Sequence, residues 1–451
     1  MAYPIYAVVA ILVLKQLNTI VDEPYMDEPF HVPQAQAYCR GHFLTWDPKI
    51  TTPPGLYILT LILKRIFMFK CTLPMLRLTP LMALLALPLL LTKLLLINQR
   101  IRPTNSFFAP SLEAVVVASF PVAWFFGFLY YTDTPSLVAV LWTVYAARRG
   151  NHWQAALTGA LSCTLRQTNI AWVLYAYAIS QVTYLRYERK IEGQAALHDP
   201  LAADAVPLDL FYAVASIPKV LPKILGSFIP YASILVLFGA FVGWNGGIAL
   251  GDKSNHVPTL HVPQLYYFIA FSTILGWPVL VSNPGGLWKL LGEVKQRMFG
   301  SSKRIAVTAL AILTMNLTVY LFTIHHPFLL SDNRHYTFYV WRRVFMLHSL
   351  VPYLLVPGYI ACFWAWFVRL SKTQTLLQFL VLPVFLLPTL LPTPLLEPRY
   401  FLIPYLLLRA QVVDVPNWGL VMEGAWYYLI NALTMWVFLY KDREGVGRFM
   451  W

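Results

Sequence analysis

The chain has 451 residues, 58% of them hydrophobic and only 12% charged. Soluble domains average about 25% charged residues, so this balance excludes a soluble globular protein and indicates a polytopic membrane protein. The net charge of +14 does not signal nucleic acid. The basic residues gather between apolar runs, at Arg148 and Arg149, Arg186 to Lys190, Lys219 and Lys223, and Lys289 to Arg304, in the positive-inside pattern.

The first apolar run, 4–20, has no early basic region and no small-residue cleavage site, so it reads as a retained span. With the N-terminus cytosolic, it delivers an acidic loop, 21–72, to the far side of the membrane. Within that loop, 53–70 reads as an amphipathic helix on the outer surface. Taken as a span, it would place Arg100 and Arg102 outside and break the charge pattern. Further spans follow at 73–97, 112–131, 134–147, 153–168, 170–185, 226–248, 263–282, 305–324, 348–370 and 375–392. The short run 400–409 and the run 425–440 leave the side of the C-terminus open. The fold class is therefore an all-α polytopic membrane protein, one multi-span domain over 1–451. It has one sizeable cytosolic loop, 186–225, and lumenal loops at 21–72, 249–262, 325–347 and 393–399.

This topology places the dense polar clusters on one face. Asp27, Glu28 and His31 come first, followed by Trp46 and Asp47. Carboxylates and imidazoles beside a bilayer are costly unless water or a polar substrate meets them. The same face receives Tyr130 to Asp133, Arg166 to Asn169, Asp252, Lys253 and His256 with His261, the run Asp332-Asn333-Arg334-His335, and Glu397 with Arg399. Each cluster has a duller alternative: a helix cap or local ion pair for the acids, an interfacial anchor for the arginines, a solvated turn for 252–256. A secondary transporter would instead place charges near midspan on broken, repeated helices, whereas these crowd at span ends.

Four cysteines lack metal-site spacing, and His325-His326 is adjacent spacing that points the two rings apart, so no metal is expected. Cys39 and Cys71 both lie in the outer loop, and whether they pair is open.

The long motifs carry a resemblance. Tyr25 to Gln36, Trp46 to Tyr57, Leu165 to Ile170, Phe241 to His256, Leu330 to Arg343 and Leu395 to Phe401 are similar to the endoplasmic reticulum α-1,2-glucosyltransferases, C-type glycosyltransferases that use dolichyl phosphate glucose. Pro29 departs from that pattern, standing where an aliphatic residue is expected. The resemblance implies a helical bundle with lumenal interfacial helices and loops. It also implies transfer of the terminal α-1,2-linked glucose onto the diglucosylated, dolichyl-diphosphate-linked oligosaccharide used in protein N-glycosylation.

Inversion at the anomeric carbon asks for one carboxylate base. Asp27 is the first candidate, Glu28 the second, and His31, one helical turn on, is placed to orient the acid. The departing phosphate asks for donors rather than a general acid, and Lys253, Arg334, His335 and Arg399 supply them. Trp46, Asp47, Arg166, Asp252, His256, Asp332, Asn333 and Glu397 complete the expected substrate contacts. The expected partners are the two lipid-linked substrates and the bilayer, with no cofactor and no nucleic acid. Another dolichyl-phosphate-sugar transferase of the same pathway is the nearest alternative.

Overall fold

A computed structural model describes residues 2–101, 109–187, 197–252 and 257–451. The chain divides into two compact units. The first takes Met1–His198 and Leu208–Val257, and the second Asp199–Pro207 and Pro258–Trp451. Among the described residues β-structure is limited to isolated bridges, and six helices are long and apolar enough to cross a membrane.

The first unit is built from α1 (Ala2–Ile20), α2 (Glu28–Cys39), α3 (Gly55–Phe67), α4 (Leu73–Leu76), α5 (Leu78–Asn98), α6 (Leu112–Ala118), α7 (Pro121–Phe126), α8 (Asp133–Arg148), α9 (His152–Leu165), α10 (Ile170–Tyr187) and α11 (Pro207–Asn245). Its loop 21–72 holds α2 and α3. The 13 residues of α3, about 20 Å of helix, fall short of a bilayer's hydrocarbon core. A Cys39–Cys71 disulfide closes this segment. Its apolar face joins Val32, Ala35 and Tyr38 of α2 to Leu56 and Tyr57 of α3, and both to Tyr130 and Leu165.

Two expected elements change. The span 112–131 is broken: α6 ends at Ala118, Phe120 takes an extended ψ of 127°, and Pro121 opens α7. Proline lacks an N–H and drives the preceding residue out of the helical region. Irregular backbone at membrane depth is tolerated only inside protein, and Phe120 to Leu137 is buried throughout. The loop expected at 186–225 is also shorter. Helix α11 already begins at Pro207 and runs 39 residues through Pro218, Pro222 and Pro230.

The second unit holds α12 (Gln264–Val281), α13 (Gly286–Phe299), α14 (Ser302–Phe322), α15 (Pro327–Ser331), α16 (Tyr336–Val340), a π-helical turn (Trp341–Phe345), α17 (Val351–Leu354), α18 (Val356–Leu370), α19 (Leu376–Leu390), α20 (Leu402–Ala410) and α21 (Asn417–Tyr440). Helix α13 is amphipathic, burying Leu290, Val294 and Met298 on one stripe. The two ambiguous C-terminal runs become α20, wholly buried, and the 24-residue α21. They are joined by the ion pair of Arg409 Nε with Glu423 (2.8 Å), neither side chain exposed. At one end of this unit the 259–264 stretch bonds to 391–395, through His261 N–H to Leu391 O (2.8 Å) and Gln264 Nε2 to Leu395 O (2.8 Å).

Candidate active site

In the first unit the chain leaves α1 and turns through Met26, whose φ of +59° is left-handed, a conformation rare for a residue with a β-carbon. Asp27 follows at the N-cap of α2, and Pro29 takes one of the first helical positions, where a missing N–H costs nothing. The departure at Pro29 thus suits the start of α2. An N-cap aspartate commonly accepts from the first-turn N–H groups, but Asp27 makes no such side-chain cap. Its backbone N–H donates to the Tyr131 hydroxyl (2.8 Å), and the residue as a whole is half-buried.

Glu28, the second candidate for the base, has a different environment. Its side chain has no exposed surface, and its oxygens accept from Arg77 Nε (2.9 Å), Arg77 Nη2 (2.5 Å), Tyr130 N–H (2.7 Å) and Tyr25 N–H (3.0 Å). With four donors already in place, this carboxylate has no free approach for a sugar hydroxyl. Arg77 in turn bonds Asn18 Oδ1 and the Val21 carbonyl, so one guanidinium ties the end of α1, the Asp27 turn and the 130 segment together. Sequence reasoning missed Arg77, which lies inside the apolar run 73–97. A charge within such a run is itself the signal.

The remaining candidates of this unit converge on the same loop. His31 Nδ1 lies 2.6 Å from the Tyr57 hydroxyl, and the His31 ring also tilts against Tyr131. Trp46 packs edge-on against Tyr57 and donates to Ile50 O. Asp47 shapes the turn, accepting from Lys49 N–H (2.9 Å). The 249–252 stretch lies on this turn, with Leu250 N–H to Thr51 O (3.1 Å) and Asp252 N–H to Pro48 O (2.7 Å). Gly251 permits the approach: its φ is +59°, and a β-carbon there would stand 2.2 Å from Pro48 O. Lys253 and His256 lie outside the described residues.

Gln167 reaches the same loop by donating to Thr51 O. Arg166, expected to face substrate, donates from Nη2 to Asp133 Oδ1 (2.8 Å), and the Asp133 side chain is 1% exposed. Asp133 was visible in the Tyr130–Asp133 cluster but not chosen. The segment from the irregular stretch after α7 to the first residue of α8 thus carries three contacts: Tyr130 to Glu28, Tyr131 to Asp27, Asp133 to Arg166.

In the second unit the arginines expected to meet phosphate are each engaged by a nearby acid. Arg334 closes a two-point fork on Asp332 (Nε 2.8 Å, Nη2 2.6 Å), and His335 Nε2 lies 3.5 Å from the same carboxylate. Burial raises the Asp332 carboxyl, but the hydrogen bonds from Arg334 and the charges of His335 and Arg334 outweigh it and hold the group below its usual value. Asn333 offers its backbone carbonyl to Arg443 (2.9 Å). Arg399 pairs with Glu397 two residues earlier. Among the described residues no three His, Cys, Asp or Glu side chains converge as a metal set.

Residues 21–410 match the DIE2/ALG10 family. The chain is 35% identical to a human protein and 36% identical to a mouse protein, each alignment covering 98% of this chain and 96% of the relative. It is 32% identical to an Arabidopsis thaliana protein, covering 96% of each. All three relatives bear the name Dol-P-Glc:Glc(2)Man(9)GlcNAc(2)-PP-Dol alpha-1,2-glucosyltransferase. No solved structure matches the chain.

Proposed function

The chain belongs to the DIE2/ALG10 family, and from that premise we propose that it transfers glucose from dolichyl phosphate glucose to the diglucosylated, dolichyl-diphosphate-linked oligosaccharide, forming an α-1,2 linkage. The observation that carries the mechanism is the contrast between two adjacent acids. Glu28 has no exposed surface and is bonded to four donors, while Asp27, held through its backbone N–H by Tyr131, is a partly exposed residue at the start of the same helix.

With a β-linked donor and an α-linked product, one displacement suffices. The acceptor hydroxyl oxygen bonds to C1 of glucose as the bond from C1 to the phosphate oxygen breaks. The electron pair of that bond leaves with dolichyl phosphate, and the hydroxyl proton passes to Asp27. Phosphate departs as an anion and needs donors rather than an acid. Arg166, steadied by Asp133 at one amino group, is proposed to supply them. Arg334, His335 and Arg399 of the second unit are proposed as further contacts for the phosphates of the lipid substrates, and Asp332 and Glu397 as the acids that set those guanidiniums. No metal is assigned. Asp133, Asp332 and Glu397 are each bonded to a partly exposed arginine, and such a donor set serves an anionic leaving group directly.

The lumenal face of the endoplasmic reticulum membrane is the proposed side of reaction. The Cys39–Cys71 disulfide supports it, since such bonds persist in oxidising compartments. The basic stretch of α13 supports the opposite, cytosolic side for the helix ends at 281 and 302.

The test is direct. Purified protein is incubated with dolichyl phosphate glucose and the diglucosylated acceptor, and the linkage in the product is determined. Gain of one α-1,2-linked glucose is expected. Transfer from dolichyl phosphate mannose instead of the glucose donor would overturn the reading.

A further inference from the structure

Beyond the last apolar helix the chain turns back on itself. Arg443 and Gly447 form an antiparallel bridge, with Gly447 N–H donating to Arg443 O (2.8 Å). Gly445 (φ +71°) and Gly447 (φ +94°) supply the left-handed backbone that this reversal requires. Arg448 donates to the carbonyls of Phe438 (3.2 Å) and Leu439 (2.8 Å), closing the C-terminal end of α21. The returning strand then lies along the Asp332–Tyr339 run.

The contacts on that run are dense. Arg443 Nη2 donates to Asn333 O (2.9 Å), and Nη1 donates to the Tyr339 hydroxyl (2.8 Å). Met450 N–H donates to Arg334 O (2.8 Å), and His335 Nδ1 stands 2.7 Å from Trp451 O. Phe449 and Trp451 flank the Tyr336 ring with centroids at 4.6 and 4.7 Å. Two successive carbonyls, of Asn333 and Arg334, are therefore both held by the C-terminal segment, one by the Arg443 side chain and one by the Met450 N–H. Holding them fixes the peptide planes on either side of the Arg334 α-carbon, and with them the direction in which its side chain leaves the backbone.

We propose that residues 441–451 form a strap that sets the conformation of the Asp332–His335 run, with Arg443 as a positioning residue for glucosyl transfer. The proposal rests on the reading that this run contacts a lipid-linked substrate. Arg443 acts through the loop rather than by touching substrate. A planar guanidinium suits the task because its two amino groups reach the Asn333 carbonyl and the Tyr339 hydroxyl at once, which a single ammonium does not reproduce.

The experiment compares Arg443→Ala, Arg443→Lys, Tyr339→Phe and Arg334→Ala in full-length purified enzyme, with donor and acceptor each varied. Misplacement of a substrate-contacting group by about 1 Å costs on the order of 10²-fold. Both Arg443 variants should accordingly lose on that order in kcat/KM toward one lipid substrate, with KM for the other substrate and the melting temperature nearly unchanged. Tyr339→Phe removes one Arg443 partner without touching the strap. It should lose several-fold, and the loss should vanish in an Arg443→Ala background. Should Arg443→Ala fail to fold, the Tyr339→Phe result alone decides, and unchanged kinetics there overturn the strap. Full activity in a folded Arg443→Ala, or Lys restoring it, would also overturn the strap. If Arg334→Ala transfers glucose normally, the reading of the run itself fails instead.

Discussion

Arg77 holds Glu28 at two points, Nε to Oε1 at 2.9 Å and Nη2 to Oε2 at 2.5 Å, with neither side chain exposed. Because Asp27 is the next residue, this pair fixes the Asp27 backbone on one side while the Tyr131 hydroxyl accepts its N–H on the other. The neighbouring acids are therefore held differently, Glu28 through its side chain and Asp27 through its backbone N–H.

Removing one partner of a buried ion pair leaves an uncompensated charge and typically costs about 3–5 kcal/mol. Arg77→Ala is expected to lower thermal stability in detergent by that order and to abolish transfer with it. Glu28→Gln keeps shape and part of the bonding, so a smaller stability loss and partial activity are expected. A Glu28→Gln enzyme that is fully stable yet catalytically dead would return Glu28 to the chemistry.

Asp27→Asn preserves size and removes the basic oxygen. Loss of a general base costs about 10²–10⁴-fold in rate, so turnover should fall by that factor while melting temperature and donor binding persist. Near-normal single-turnover transfer by this variant would move the base elsewhere, with Asp252 and Asp332 the next acids to test.

The Cys39–Cys71 disulfide closes a separation of 32 residues around α3, from the last residue of α2. A bond of this loop length contributes about 2–4 kcal/mol through the unfolded state. Cys39→Ser with Cys71→Ser should lower the melting temperature, and added reductant should lower the wild type toward the same value. Insensitivity of the wild type to reductant after denaturation would show that the two thiols are not joined.

In the second unit the strap shares an end with the run after α15, so single cysteines at the exposed positions Ser331 and Glu444 should behave alike. An impermeant thiol reagent should reach both only after the microsomal lumen is opened. Labelling of either one in sealed microsomes would refute the lumenal placement.

His261 has no exposed surface, and burial pushes its imidazole down to about 4. The unfolded chain takes up its proton near pH 6.5, before the native state does. Stability is therefore present above about pH 6.5 and is lost as pH falls toward 4. His261→Phe, which keeps a ring against Tyr267, should flatten the pH dependence of the melting temperature across that window. An unchanged slope would remove His261 as its source. Asp332, held below the usual carboxylate value, acts at lower pH and does not confuse the result.

The sequence by itself determined the class, most span positions and the identity of the polar clusters. Each of these is a local property: a bilayer demands about 20 apolar residues in a row, and charges that survive beside it stand out against them. Asp27, Arg166, Asp252 and Asp332 were legible for that reason. Tertiary structure alone decided how Glu28 is held, because it is paired with a residue 49 positions away and accepts from an N–H 102 positions away. It also broke the 112–131 span at Pro121, joined Cys39 to Cys71, and laid the last residues along Asn333 to Tyr339. No periodicity or composition encodes such pairings. They follow from which buried donors and acceptors must find each other once water is gone, and that is settled only when distant segments pack.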